Sequence, residues 1–521
     1  MRYAIAVVIS LTAVTRSAAQ HGQWTFGTVS DDWIWDGQAI WDDGGFLMVG
    51  NSNNKIFLIR TDAESDTIWT KRYGRASGSI QTQRIHHTSD GGFIVSGYTS
   101  ESPWDPYYGF LLKLDANGNR MWSKTYGTGN RNLFYEAFQT TDGGYLMAGA
   151  EGYGVGRNQI YVVKADSAGD VQWTRNFAAH TTGHAFGASQ TPDGGYAVCG
   201  EVWDSAAADY YTVLIRLDAD GNLLWNKAHS LYGGSFIAFN ATADGGFVAA
   251  GYQAEPPMYL YEDASLLKLD SLGNPQWYKR YNASPFDYGY DVVETEDNGF
   301  AVAGCTNEPG GTRSFYLLKT DTNGNAEWSK SYGNYVDHIA YAVALNADNG
   351  YTLAGIMKWE AFGNRDYYIV RTDKFGASGC RENDLNTIAA NVPTQTTELN
   401  FDITTGGVGA DLPLTESWLD IAETDFCLFN SIDESTRETL FNVYPNPNNG
   451  VFTLTLRAPA SASQLVITNP MGQKVLETST NETPQQVTLP DRCADGFYAV
   501  RVLDRLGTVL AKQTFVLTRG R

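Results

Sequence analysis

The side chains that could do chemistry in this sequence are acids and aromatic rings. Fifty-eight Asp and Glu offer carboxylate pairs of the kind that hydrolyse glycosides, one as acid and one as base or nucleophile. Their number gives no pair precedence. His180 and His184 have the i,i+4 spacing of two metal ligands, but that spacing converges only on a helix. This stretch reads as a connection between strands, so a plain polar loop is the better reading. His86-His87 falls on a strand, where adjacent side chains diverge. Asp218-Ala219-Asp220-Gly221-Asn222 and Asp321-Thr322-Asn323-Gly324-Asn325 have the composition of a calcium loop. The equivalent turns at Asp166 and Asp270 lack the extra ligands, which favours a hairpin turn. No Gly-x-Ser-x-Gly, Walker loop or Cys-x-x-Cys occurs. The expectation is therefore no catalytic residue, no metal and no cofactor, and a binder more readily than an enzyme.

The aromatic candidates sit beside acids. They are Trp104 and Tyr107 around Asp105, Trp203 and Tyr210 around Asp204, Tyr259, and Trp359 next to Glu360. Flat rings stack on the apolar faces of sugars, and neighbouring carboxylates accept hydroxyl hydrogen bonds. Rings near cations serve basic peptides equally well. The competing reading is that each ring pins its own loop.

A repeat positions these loops. Asp-Gly-Gly-aromatic starts at Asp43, Asp90, Asp142, Asp193 and Asp244, and Asp-Asn-Gly-aromatic at Asp297 and Asp348, a period of about fifty residues. A second signature pairs an Asp with a Trp seven residues on: Asp62/Trp69, Asp115/Trp122, Asp166/Trp173, Asp218/Trp225, Asp270/Trp277 and Asp321/Trp328. The seventh Asp, Asp373, is followed at that distance by Cys380. The missing Trp is Trp24, in Gln23-Trp24-Thr25-Phe26-Gly27. One unit is thus split between the two ends of the repeat region, which a closed ring explains and a linear solenoid does not.

Within one unit, Glu136–Thr140, Tyr145–Gly149, Ile160–Lys164 and Val171–Arg175 read as four strands joined by Gly-containing turns. The fold expected is all-β: a seven-bladed β-propeller over residues 20–380, closed by an N-terminal strand. The repeated Trp should fill the wedge between blades. The pattern resembles the tryptophan-docking motif of quinoprotein dehydrogenase propellers and, more loosely, the Asp-box of sialidases, motifs that are structural in both families. In a four-stranded meander the short, uniform Asp-turns share one face. The variable loops with the aromatic candidates share the other, which makes that face the expected binding face.

Residues 381–437 lack the repeat and read as a linker or accessory segment along the propeller. Cys380 and Cys427 bracket it and form the candidate disulfide. Cys199 and Cys305 should point to opposite strand faces and are not expected to pair.

Both termini concern export. Met1-Arg2, the apolar run Tyr3–Val14 and Ser17-Ala18-Ala19 read as a signal peptide, residues 1–19, cut between Ala19 and Gln20. No later run reaches the ~18 apolar residues of a membrane helix. The net charge of -21 disfavours nucleic acid as a partner. From about residue 438 to 521 short alternating strands suggest an Ig-like β-sandwich. Tyr444-Pro445-Asn446-Pro447, the strand start at Gly472-Gln473-Lys474-Val475, and Gly496-Phe497-Tyr498-Ala499-Val500-Arg501-Val502 follow in order. This module resembles the type A C-terminal sorting domain of the type IX secretion system of Bacteroidota. The resemblance implies export across both membranes, with the secretion machinery and its sortase-like protease as partners. The product is extracellular or anchored at the outer-membrane surface. The chain is thus expected to be an exported ligand-binding or adhesion module for a glycan or protein. Two alternatives stay open: an extracellular glycan-active enzyme on the same scaffold, and a structural surface protein.

Overall fold

A computed structural model describes residues 21–517 apart from 29, 41–43, 103–105, 128–130, 153–157, 179–181, 205–208, 231–233, 255–260, 308–310, 334–336, 359–364, 400, 418–421, 426–440, 445–449, 457–463, 469–473, 480–484, 491–492, 494–495 and 504–508. The expected cleavage pair Ala19–Gln20 lies outside these residues. The described chain is all-β, and it forms seven five-stranded sheets followed by one of three strands and one of four.

The five-stranded sheets are the blades of a propeller, numbered here in chain order. Their innermost strands are Asp32–Ala39, Ser79–His87, Arg131–Gln139, Gly183–Gln190, Ser235–Ala241, Asp287–Glu294 and His338–Leu345. Each neighbours the next, and the last lies beside the first, which closes the ring. Blade 7 takes Gly22–Gly27 as its fourth strand, with Trp24 opposite Ile369. The split unit is joined as the sequence expects.

Two devices repeat between blades. Trp122 packs on Gly169 of the next blade, where an added Cβ would lie 3.0 Å from the indole, and Gly169 sits at φ 80°. Bulk and backbone conformation both require glycine there. Beside it, Tyr126 donates to the Gly169 carbonyl at 2.8 Å, as Tyr281 does to Gly324. The Asp-Gly-Gly turn is held from within its own blade by a buried cation on the third strand. Lys113, Lys164, Lys268 and Lys319 reach Asp90, Asp142, Asp244 and Asp297 at 2.8 to 2.9 Å, and Arg216 reaches Asp193. Burial works against each charge. The ammonium and the turn threonine more than offset it and hold these four Lys-paired carboxyls at about 2.

The largest departure from expectation is the segment read as a linker. Residues 381–425 run once round the propeller and give every blade a fifth, outermost strand. The strands are Glu382–Asp384 on blade 6, Ile388–Asn391 on blade 5, Thr396–Thr397 on blade 4, Asp402–Thr404 on blade 3, Val408–Asp411 on blade 2, Thr415–Ser417 on blade 1 and Ala422–Asp425 on blade 7. The blades are five-stranded, not four-stranded. A free outer edge exposes unpaired N–H and C=O groups, and the belt covers all seven.

The tail forms sheets of three and four strands. Phe452, Leu454 and Val487 from the first share one core with Leu465, Ile467, Tyr498 and Val500 from the second.

Candidate functional site

Every innermost strand carries a register shift at the same place: Ile34/Asp36, Thr82/Arg84, Phe134/Glu136, Ala185/Gly187, Phe236/Ala238, Gly289/Asp291 and Ala340/Ala342. A bulge bends a strand and re-aims the side chains beside it. Seven equivalent bulges around one axis therefore make a ring of positions. Four of them carry charge: Asp36, Arg84, Glu136 and Asp291.

These four, with His86, line a cavity of about 370 Å³ on the axis. The rest of its polar lining includes Gln38, Asn240 and Glu294, and its apolar lining includes Phe239, Val293 and Leu345. All lie at or after the bulge, where the inner strands run toward the Asp-Gly-Gly turns. The cavity therefore occupies the turn end of the axis, opposite the variable loops expected to bind.

The carboxylates join blades. Asp36 accepts the N–H of Gly37 at 2.8 Å and that of Ile85 in blade 2 at 2.9 Å. Asp291 accepts Val292 N–H and, from blade 7, Val343 N–H, both at 2.9 Å. Glu136 Oε1 lies 2.7 Å from His86 Nε2 and accepts Ala137 N–H at 2.9 Å. Arg84 is less engaged. Its guanidinium lies 3.9 Å from Asp36 and 3.8 Å from Glu136, and it makes no hydrogen bond among the described residues. Burial pushes Asp291 up to about 6 against the pull of Arg84, and raises Asp36 in the same way. At Glu136 burial is outweighed by His86 and Arg84, which hold the carboxyl below its ordinary range. His86 is raised by Glu136 despite its burial. One ring thus presents acceptors, a donor fork held by ion pairs rather than hydrogen bonds among the described residues, and carboxyls with opposite tendencies to ionise.

Before the bulge, aromatic rings meet across blades. Trp33 stacks on Trp35 of its own strand at 5.5 Å; across blades, Trp35 meets Tyr341 at 5.4 Å and Tyr341 meets Tyr290 at 5.2 Å. Tyr135 and Phe186 do the same at 5.2 Å in blades 3 and 4. The indole N–H of Trp35 is buried without a partner among the described residues.

Of the aromatic candidates, Trp203 and Tyr210 face each other across one hairpin with centroids 4.7 Å apart. Tyr107 lies in blade 2 against Tyr98 at 5.3 Å, with Arg131 over its ring at 5.4 Å. Trp104, Tyr259 and Trp359 lie outside the described residues. His86 and His87 diverge as strand neighbours must: His86 faces the cavity, and His87 packs on Phe93 at 5.1 Å. His184 lies 2.5 Å from the Asn158 amide, and His180 lies outside the described residues. Sequence reasoning passed over the charged ring. Its signal was available, since Arg84, Glu136 and Asp291 each stand six residues before the turn Asp.

Among the sorting-motif residues, Tyr498 is in the tail core, Tyr444 ends the strand Phe441–Tyr444, and Gly496 begins Gly496–Leu503. Pro445, Asn446, Pro447 and Gly472 lie outside the described residues. Cys380 is disulfide-bonded, and Cys199, Cys305 and Cys493 are buried free thiols. Cys427 lies outside the described residues.

Residues 442–516 match the family model of the secretion system C-terminal sorting domain. No curated protein matches the chain. Solved structures similar to it include puromycin hydrolase, at 13% identity and TM-score 0.41 over 70% of this chain and 55% of that one. The Dos1 propeller is 13% identical, with TM-score 0.38 over 64% and 77%. The chain spans about half the length of puromycin hydrolase. The sorting domain marks the chain for export by the type IX secretion system, to the cell surface or the extracellular space. What is exported is a β-propeller.

Proposed function

We propose that this exported propeller is a binding protein whose axial cavity takes a small, neutral, polyhydroxylated group such as the end of a glycan. The observation that carries the reading is Arg84, a guanidinium in the cavity with no hydrogen bond to the protein among the described residues. Its side chain is 15% exposed and is held by ion pairs alone among the described residues, so its N–H donors are open to a ligand, and a charged hydrogen bond there is strong. Asp36, Glu136 and Asp291 around it accept hydroxyl hydrogen bonds. With Glu294 they also oppose an anionic ligand, because four carboxyls face one guanidinium and one imidazole.

The test is calorimetric titration of the full chain with neutral oligosaccharides, using Arg84→Met and Trp203→Ala as variants. Arg84→Met should weaken binding by at least about tenfold, the loss of one charged hydrogen bond. Trp203→Ala, on the opposite face, should not. Loss in Trp203→Ala alone would return the site to the aromatic candidates of the variable face. Silence from the wild-type protein toward all sugars would favour a structural surface role.

A glycan-active enzyme is the second reading, favoured by the opposite shifts of Asp291 and Glu136. Carboxyls driven apart in this way suit acid and base roles. Release of a chromophore from aryl glycosides, abolished in Glu136→Gln, would support it.

A further inference from the structure

The two ends of the belt meet at one place. At its start, the Gln23 amide donates to the Cys380 carbonyl and, at 3.0 Å, to Ser378. Glu382, the first belt residue in a sheet, accepts from the Ser378 hydroxyl at 2.8 Å. At its finish, Asp425 pairs with Trp24 in the closing strand of blade 7. Neighbouring residues of one strand, Gln23 and Trp24, thus hold both ends after a full turn round the molecule. Cys380 is disulfide-bonded, and three of the other four cysteines are free thiols.

We propose that Cys380 is bonded to Cys427, and that this bond closes the belt into a covalent hoop latched on blade 7. Each thiol gives up one proton and one electron. A disulfide-bearing oxidant takes up both pairs by thiol–disulfide exchange and leaves as a dithiol. The hoop has a mechanical purpose. Belt strands are only two to four residues long, and each alone holds its blade weakly. Fixing both ends keeps a detached strand next to its own blade, so re-pairing is intramolecular. It also separates the belt from the tail. A cut between Cys427 and residue 442 removes the sorting domain and leaves the hoop closed.

The full chain tests this. Peptide mapping without reductant should link a Cys380 peptide to a Cys427 peptide. A protease cut within 385–420 should leave two fragments joined until reductant is added. Hydrogen exchange at Ala422–Asp425 and Thr415–Ser417 should quicken at least about tenfold in Cys380→Ser and in Cys427→Ser, with the inner strands unchanged. Should a variant fail to fold, mild reduction of the folded wild-type protein gives the same reading, and reoxidation should restore slow exchange. A native Cys427 that alkylates as a free thiol, a Cys380 link to any other cysteine, or belt exchange unaffected by reduction would each overturn the hoop.

Discussion

Arg84 shows how a single side chain carries meaning that its neighbours in the repeat do not. The equivalent positions in blades 4, 5 and 7 are Gly187, Ala238 and Ala342, whereas Arg84 stands among buried carboxyls and favours their charged forms. Ser65 makes the opposite point. It takes the turn position held by glycine in other blades, at φ 68°, with its hydroxyl buried and unpartnered among the described residues. Ser65→Gly should raise stability by about 1 kcal/mol, from relief of left-handed strain; chemical denaturation measures it. The turn aspartates set the acid limit. Asp90, Asp142, Asp244 and Asp297 titrate at about 2 in the folded chain and near 4 when unfolded. Their contribution is complete above pH ~4 and is lost as pH falls through about 2. The melting temperature should fall across that window, and Lys164→Met should flatten the fall.

At the scale of elements, what could be read from sequence was whatever repeats. The Asp-Gly-Gly turns, the Trp and the strands between them recur because every blade meets its neighbour in the same way. Gly169 is the checkable case. Gly169→Ala should destabilise the protein by about 1–2 kcal/mol, since a Cβ meets the Trp122 ring and the backbone is left-handed. The belt was not legible. Strands of two to four residues show no two-residue alternation, and their partners lie up to hundreds of residues away. The four-stranded expectation failed for that reason alone. Cys380 and Cys427 stood out in the sequence only as a bracket, and the hoop proposed for them did not. Removing the proposed bond should cost ~3–4 kcal/mol for a loop of that size, seen as a lower denaturation midpoint in Cys427→Ser.

The molecule as a whole puts the sorting signal and the proposed recognition site in different parts. The tail has its own two-sheet core and matches a sorting domain. The propeller has closed its ring, covered its outer edges and kept a charged cavity on its axis. The expectation placed binding on the face where loops vary, because variation is what a single sequence displays. The cavity lies at the uniform end, and its chemistry comes from unlike residues at like positions. That difference shows only when seven repeats are laid over one another. The most direct test is therefore the titration of neutral oligosaccharides against the wild-type chain, Arg84→Met and Trp203→Ala. The account predicts saturable binding that Arg84→Met weakens at least about tenfold and Trp203→Ala leaves intact. Binding that survives Arg84→Met and disappears in Trp203→Ala would contradict it.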